Sequence, residues 1–390
     1  MAELKRDINL TLLMLYGLGT ILGAGIYVLT GVVAKHAGDQ TPLAFFLAAI
    51  VAAPTAYTFG VLSSRYPRSA GPAAYVHAAF KRQWLASITG AFVVLVGIVS
   101  AATIARGFVG YLQVFITVPD AWVIALLVCA LTAIAIYGIV ESVTAAAVIT
   151  LIEILGLLLV IYGGLSFESP RSVDLLPDTG MINWSGVLAG TFLAFYAFIG
   201  FEDIVTMAEE TRSPEKNVPY AILGALLIAT LLYFLVTYLA IRTVPLNVLA
   251  NHDAPMSLIV EQHGLFSPKL LAAISMLAVV NGVLVQIIMA SRVIYGVARM
   301  YKDSHPLGHV WQSTRTPGNA TLLTGTVILV LALLLDVEAL ASITSIITLL
   351  IFTVINLALC RIQGTPKSPL MLIPWFGMVL CLALLVASIG

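Results

Sequence analysis

The feature that most constrains this chain is a succession of apolar segments, each about 20 residues long, separated by short polar connections. As a helix, such a segment crosses about 30 Å of hydrocarbon at about 1.5 Å per residue. Only helices and closed barrels satisfy the backbone in lipid, and uninterrupted apolar runs favour helices. Of the 390 residues, 60% are hydrophobic and 10% are charged, whereas a soluble domain has about 25% charged residues. The sequence therefore predicts an all-α polytopic membrane protein.

We predict about eleven transmembrane helices in a single transmembrane domain, since the connections are too short for a separate soluble domain. The predicted spans cover about 8–33, 41–62, 84–113, 121–139, 144–165, 186–207, 219–242, 268–300, 320–335, 338–360 and 371–389. The mixed charge of residues 1–7 and the lack of a small-residue cleavage site predict no removable signal peptide.

Lys and Arg residues in the loops predict the orientation, because they accumulate on the cytoplasmic side. With a cytoplasmic N-terminus, the outer side receives only Lys35, Arg171, Arg242 and Lys269. The inner side receives Lys5, Arg6, Arg65, Arg68, Lys81, Arg82, Arg212, Lys216, Arg292, Arg299, Lys302, Arg315, Arg361 and Lys367. We therefore expect an integral protein of a prokaryotic inner or plasma membrane with its N-terminus in the cytoplasm.

Neither a cofactor nor a metal site is expected. Cys129, Cys360 and Cys381 fall inside apolar runs without ligand spacing, and the six histidines lie in loops or at span ends. The formal net charge of zero gives no reason to expect a nucleic-acid partner. The sequence also lacks a His-Glu-x-x-His motif and a Gly-x-Ser-x-Gly elbow with plausible partners, so we do not expect an enzyme.

Two spans are unusually rich in glycine. The first contains Gly17, Gly19, Gly23 and Gly25, and the sixth contains Gly200 beside two acidic residues. A glycine costs about 1 kcal/mol relative to alanine inside a helix, although small residues also let membrane helices pack closely. These spans lead two successive groups of five, and interrupted spans at corresponding positions in two halves indicate a transporter binding site.

Several motifs resemble those of the amino acid–polyamine–organocation (APC) superfamily, nearest to its proton-coupled and cationic amino acid transporters. The match begins with the sequence GAGIY at 23–27. It continues with PRSAGP at 67–72, FYAFIGFE at 195–202, MAEETRSP at 207–214, NVP at 217–219, SRVIY at 291–295 and ARM at 298–300. The stretch 195–219 is the most specific part.

The resemblance implies the LeuT-type fold, with two inverted five-helix repeats and discontinuous helices 1 and 6. The repeats would cover about 8–165 and 186–360, with an additional helix at about 371–389. Five spans per repeat place the two halves in opposite orientations, as inversion requires.

By the same resemblance, the broken helices bind the substrate. Backbone amides of Gly23, Ala24 and Gly25, followed by Ile26, would face its carboxylate, while carbonyls of Ile21, Tyr196, Ala197 and Ile199 would face its ammonium. Helix ends supply these partners without adding net charge, which matters because an unpaired buried charge is costly. Phe195, Phe198 and Phe201 are candidate gate residues, with packing as the alternative.

Two ionisable residues lie inside spans. Glu153 is near the middle of the fifth span, where the resembled branch carries a lysine, so the usual lysine mechanism is in doubt. Burial disfavours a charged carboxyl, and we hypothesise that Glu153 carries the coupling proton, a structural role being the alternative. Arg106, nearer the outer end of the third span, is a possible charge partner for Glu153 or the substrate, or it snorkels to the interface.

Together these features predict a secondary active transporter that moves a neutral or broad range of L-amino acids by alternating access, coupled to protons. Sodium coupling stays open, as do a polyamine or cationic amino acid carrier and an exchanger without ion coupling. A channel would instead show rings of repeated polar side chains. The expected partners are the amino acid, the proton or sodium ion, and membrane lipid.

Overall fold

The computed structural model is all-helical over the part of the chain that it describes. It describes residues 6–23, 25–67, 71–137, 143–166, 182–263, 266–301, 306–314, 316–364 and 368–388. Fifteen α-helices form within these ranges, and the β pairing found there is an isolated bridge between Ile8 and Thr211.

The helices follow the predicted spans closely. They are α1 (Leu10–Leu22), α2 (Gly25–Ala37), α3 (Thr41–Arg65), α4 (Gly71–Phe80), α5 (Gln83–Gln113), α6 (Asp120–Tyr137), α7 (Val143–Ser166), α8 (Trp184–Phe195), α9 (Pro214–Thr243), α10 (Leu246–Leu249), α11 (Pro255–His263), α12 (Pro268–Tyr301), α13 (Gly318–Leu334), α14 (Val337–Gln363) and α15 (Ile373–Ala387). Between α8 and α9 the chain forms 3₁₀ turns at Tyr196–Phe198 and Phe201–Glu210.

Nine helical stretches among the described residues are long and apolar enough to cross a membrane. The longest, Leu10–Arg65, has 56 residues and contains two predicted spans, the first made of α1 and α2 and the second of α3. The apolar helix Gly318–Leu334 is slightly shorter than a full span and corresponds to the ninth predicted span, at about 320–335. Each of the eleven predicted spans therefore has a helical counterpart.

Polar side chains start three of the spanning helices. The Oδ1 atom of Asn9 accepts a hydrogen bond from the Leu12 amide at 2.9 Å, and Asp336 accepts from the Ala339 amide at 2.7 Å. The Oδ1 atom of Asn183 accepts a hydrogen bond from the Gly186 amide at 3.2 Å. These caps satisfy amides that have no partner inside the helix, and they fix where α1, α14 and α8 begin.

The two glycine-rich spans lie in the middle of the bundle. The helix α1 packs between α7 and α9, while α2 packs against α8. Large side chains around them, including Ile21, Tyr27 and Tyr233, are fully or almost fully buried. In contrast, α6, α7 and α15 present exposed apolar side chains such as Leu126 and Phe376, as expected of a lipid-facing surface.

The start of α1 is attached to the end of the sixth span. The Ile8 amide donates to the Glu210 carbonyl at 3.1 Å, and the Arg212 amide donates to the Ile8 carbonyl at 2.9 Å. An ion pair between Asp7 and Arg212, at 3.6 Å, adds to this connection. The halves of spans 1 and 6 that face the N-terminal side of the bundle are thereby held together.

Candidate functional site

The first span is interrupted between α1 and α2. The helix α1 ends at Leu22, and the Gly23 amide closes it by donating to the Gly19 carbonyl at 3.1 Å. A new helix begins at Gly25, and its first amides lack helical partners because no turn precedes them. Ala24, a predicted substrate residue, lies outside the described residues.

The sixth span is interrupted after Phe195. Ile199 is extended, with φ −67° and ψ 137°, and Gly200 has φ +125°, a conformation that is essentially restricted to glycine. The Glu202 carboxylate accepts a hydrogen bond from the Gly200 amide at 2.8 Å. This acid therefore satisfies a backbone donor that the interruption leaves without a helical partner.

The two interruptions touch through their backbones. A Cβ atom at Gly25 would lie 2.6 Å from the Cα atom of Ala197, and one at Gly200 would lie 2.5 Å from the Thr20 carbonyl oxygen. The Thr20 hydroxyl donates to the Gly200 carbonyl at 2.9 Å. Glycine at positions 25 and 200 thus lets the two backbones come into contact, because a side chain at either position would push them apart.

One tyrosine hydroxyl joins both interruptions from α9. The hydroxyl of Tyr233 lies 2.7 Å from the Ile21 carbonyl and 3.0 Å from the Ala197 carbonyl, and the side chain is fully buried. A phenol has one proton to donate, so the two carbonyls share it. Both carbonyls belong to the group predicted to face the substrate ammonium, and the sequence analysis did not identify Tyr233.

A cavity of about 50 Å³ lies beside the interruptions, with room for a few water molecules. Five predicted substrate residues line it: Ile21, Gly23, Gly25, Tyr196 and Ile199. Ile26 and Ala197 are buried next to it but do not belong to its described lining.

Part of the remaining lining comes from helices that the sequence analysis did not assign to the substrate site. Ser100 and Ile104 of α5 contribute, as do Asn281 and Gln286 of α12. Both amides are polar residues inside a membrane-spanning helix, where interhelical hydrogen bonding is the common role. The Ser100 hydroxyl lies 3.0 Å from the Tyr196 hydroxyl. No carboxylate belongs to the part of the lining that the structure describes.

The three candidate gate residues pack inside the bundle. Phe195 and Phe201 contact the Phe352 ring with centroid distances of 5.8 Å and 5.2 Å, and Phe198 lies 5.1 Å from the Tyr233 ring. All three are at most 1% exposed and absent from the described lining of the cavity. The structure thus gives each ring a packing partner, and their role as gates stays a prediction.

Glu153 lies behind the cavity rather than on its described lining. It is fully buried, and the Tyr27 hydroxyl donates to its backbone carbonyl at 3.0 Å. Its side chain lies in the neighbourhood of the buried side chains of Tyr27 and Tyr233. Tyr233 is thus near this acid and also contacts both interruptions.

Arg106 lies towards the opposite side of the bundle from the start of α1. Its guanidinium donates to the Ala332 carbonyl at 3.0 Å. It lines a separate cavity of about 330 Å³ together with Asp120, His252 and Asp253. The structure therefore gives Arg106 a partner other than Glu153.

Comparison of the sequence with known protein families shows which family the chain belongs to. The model of a family described as amino acid permease matches residues 9–390. The chain belongs to the amino acid permease family. This confirms the resemblance to the APC superfamily, whose members have the LeuT-type fold.

Relatives of this permease carry several names. It is 29% identical over 385 residues to "Cationic amino acid transporter 3, mitochondrial" of Arabidopsis thaliana, covering 93% of this chain and 63% of the relative. It is 28% identical to "Branched-chain amino acid permease BcaP" of Bacillus subtilis, covering 98% and 88%. A "Methylthioribose transporter" of the same bacterium is 27% identical, covering 91% and 81%. The permease thus spans less than two thirds of the length of that plant relative.

The backbone contact between the interruptions generates a first prediction. We expect Gly200→Ala to lower the free energy of unfolding of the permease by more than about 2 kcal/mol, because it adds a steric conflict to a strained φ angle. Gly364→Ala is the matched control: Gly364 has φ +72°, but nothing lies within 4 Å of a Cβ atom there. Thermal unfolding in detergent measures both variants. Equal shifts in melting temperature would contradict the proposed importance of the contact.

Proposed function

We propose that this permease is a secondary active transporter that moves a small neutral L-amino acid across the membrane by alternating access. The observation that carries the proposal is the pair of touching interruptions beside a cavity whose described lining is uncharged. A zwitterion needs partners for both charges, and helix ends provide them without net charge. We further propose the two inverted repeats, about 8–165 and 186–360, a cytoplasmic N-terminus, and a prokaryotic inner or plasma membrane.

In the proposed binding mode, the substrate carboxylate accepts hydrogen bonds from amides at the start of α2, at Gly25 and Ile26, and from the adjoining Gly23 and Ala24. The ammonium donates to carbonyls of Ile21, Tyr196, Ala197 and Ile199. A carbonyl oxygen has two lone pairs, so Ile21 and Ala197 can accept from both Tyr233 and the ammonium. The substrate side chain then points towards Ser100 and Gln286, which line the same cavity.

The lining that the structure describes is uncharged, which supports a neutral substrate over a cationic amino acid or a polyamine. A cationic side chain would need a carboxylate, because an unpaired charge in this environment is strongly unfavourable. The cavity volume of about 50 Å³ supports a small side chain. Because some relatives are named as cationic amino acid transporters, a cationic substrate is the alternative to test directly.

We propose proton coupling through Glu153, in which the carboxyl takes up a proton on one side of the membrane and releases it on the other. Its complete burial and its position near Tyr233 support this role. A membrane potential of 100 mV would contribute about 2.3 kcal/mol for each charge moved. Changes at Glu153 would reach the two interruptions through the Tyr233 hydroxyl.

Counterflow in proteoliposomes tests the function. Vesicles loaded with unlabelled alanine or serine should take up the labelled amino acid transiently, because a carrier exchanges substrate across its site. We expect excess lysine, arginine or spermidine not to compete. Competition by a cation as strong as that by alanine would contradict a neutral site, and absence of counterflow with any amino acid would contradict a carrier.

The coupling proposal generates a second transport test. We expect Glu153→Gln to retain counterflow but to reduce substrate-driven proton uptake to below about a tenth, since the residue that carries the moving charge is lost. A pH-sensitive dye inside the liposomes reports the uptake. Glu338→Gln is the matched control, because Glu338 is a partly exposed acid that pairs with Lys35 and His36. Undiminished, pH-dependent accumulation by Glu153→Gln would overturn this role.

The connection through Tyr233 is tested by a double-mutant cycle. We expect Tyr233→Phe and Glu153→Gln each to weaken the apparent substrate affinity, and the double variant to lose at least about 0.5 kcal/mol less than their sum. Half-saturating concentrations in counterflow give the energies. Tyr238→Phe, on the same helix, should leave the affinity unchanged. Strictly additive effects would show that the two residues act independently.

A further inference from the structure

A second cavity opens beside the central one, on the side that faces the start of α1. It measures about 30 Å³, enough for about two water-sized particles. Ser100, Ile199 and Gln286 line both cavities. Glu202 and Asp203, which follow the interruption of the sixth span, line only the second one, as does Thr348 of α14.

Two oxygen atoms around this inner cavity have no hydrogen-bond partner among the described residues. They are Oγ1 of Thr348, a residue that is only 1% exposed, and Oε1 of Gln286. A threonine hydroxyl in a helix commonly bonds a carbonyl in the preceding turn, as Thr344 does with the Leu340 carbonyl at 2.9 Å. A buried oxygen without a partner is unfavourable by about 1–3 kcal/mol. A water molecule or an ion in the cavity would give both atoms a partner.

The chemistry of the lining indicates a cation. Glu202 already accepts a hydrogen bond from the Gly200 amide, whereas Asp203 forms no ion pair with a described basic residue. Carboxylate, amide and hydroxyl oxygens are the ligands that hard cations prefer. An ammonium group, with three donors and no acceptor, has the same requirement.

We propose that the inner cavity binds a small monovalent cation through oxygen atoms of Asp203, Gln286 and Thr348. Two sources share this chemistry: an alkali cation from solution and the ammonium group of an amino acid leaving the central cavity. The second source rests on the proposed transport function, and the first does not. In both cases the cation balances charge next to the interruption of the sixth span.

Thermal unfolding of the purified chain tests the proposal without a transport assay. Choline chloride is replaced stepwise by sodium, potassium or methylammonium chloride at constant total concentration. We expect at least one small cation to raise the melting temperature saturably, because a ligand that binds the folded state stabilises it. Asp203→Asn and the nearly isosteric Thr348→Val should each raise the apparent Kd about tenfold, through loss of a ligand to a charged group.

Thr344→Val is the matched control, since it removes a buried hydroxyl one turn away that already has a carbonyl partner. It should keep the dependence on the cation. Stabilisation by sodium or potassium alone identifies an inorganic occupant, and stabilisation by methylammonium alone identifies the ammonium group of the substrate.

Two results would overturn the proposal. In the first, the melting temperature is the same in all four salts, which would mean that no cation binds in the cavity. In the second, a cation effect persists unchanged in both Asp203→Asn and Thr348→Val, so that the cation binds elsewhere. Either result leaves the counterflow experiment unaffected, because neither depends on transport.

Discussion

The structure depends on the rule that backbone polar groups inside a membrane must find partners within the protein. A continuous helix meets this rule automatically, but two spans of this chain are not continuous helices. Specific groups then replace the missing helical bonds: Glu202 for the Gly200 amide, Thr20 for the Gly200 carbonyl, and Tyr233 for the carbonyls of Ile21 and Ala197. The polar groups freed by the interruptions thus have partners within the protein, and Ile21, Gly23, Gly25 and Ile199 line one cavity beside them.

Much of the fold could be predicted from the sequence, because crossing a membrane is a local requirement. Length and apolarity decide whether a segment can span lipid, and neither depends on its neighbours. The interruptions were also predictable, since Gly23, Gly25 and Gly200 occur where helix interiors disfavour glycine. The structure adds a reason that the sequence does not contain: Gly25 and Gly200 allow two backbones to touch.

Much of the site could not be predicted, because it depends on how helices rotate and pack. In the sequence, Asn281 and Gln286 are typical of residues that form hydrogen bonds between helices. Only the packing of α12 in the structure places them on the cavity. Tyr233 has the appearance of one more aromatic residue in an apolar helix. Conversely, the rings of Phe195, Phe198 and Phe201 lie near the interruption in sequence, yet pack against Phe352 and Tyr233.

The positions of the acidic residues give the arrangement a physical logic. Glu153 lies outside the described lining of the central cavity, and Glu202 and Asp203 line the inner cavity, so that the described lining of the central cavity is uncharged. A carboxylate in direct contact with the substrate ammonium would stabilise the bound state itself, and tight uniform binding slows release. Charges that lie outside the central cavity can instead bias the geometry of the interruptions without pairing with a substrate bound there. A shift of equilibrium requires only that such a charge interact differently with two conformations.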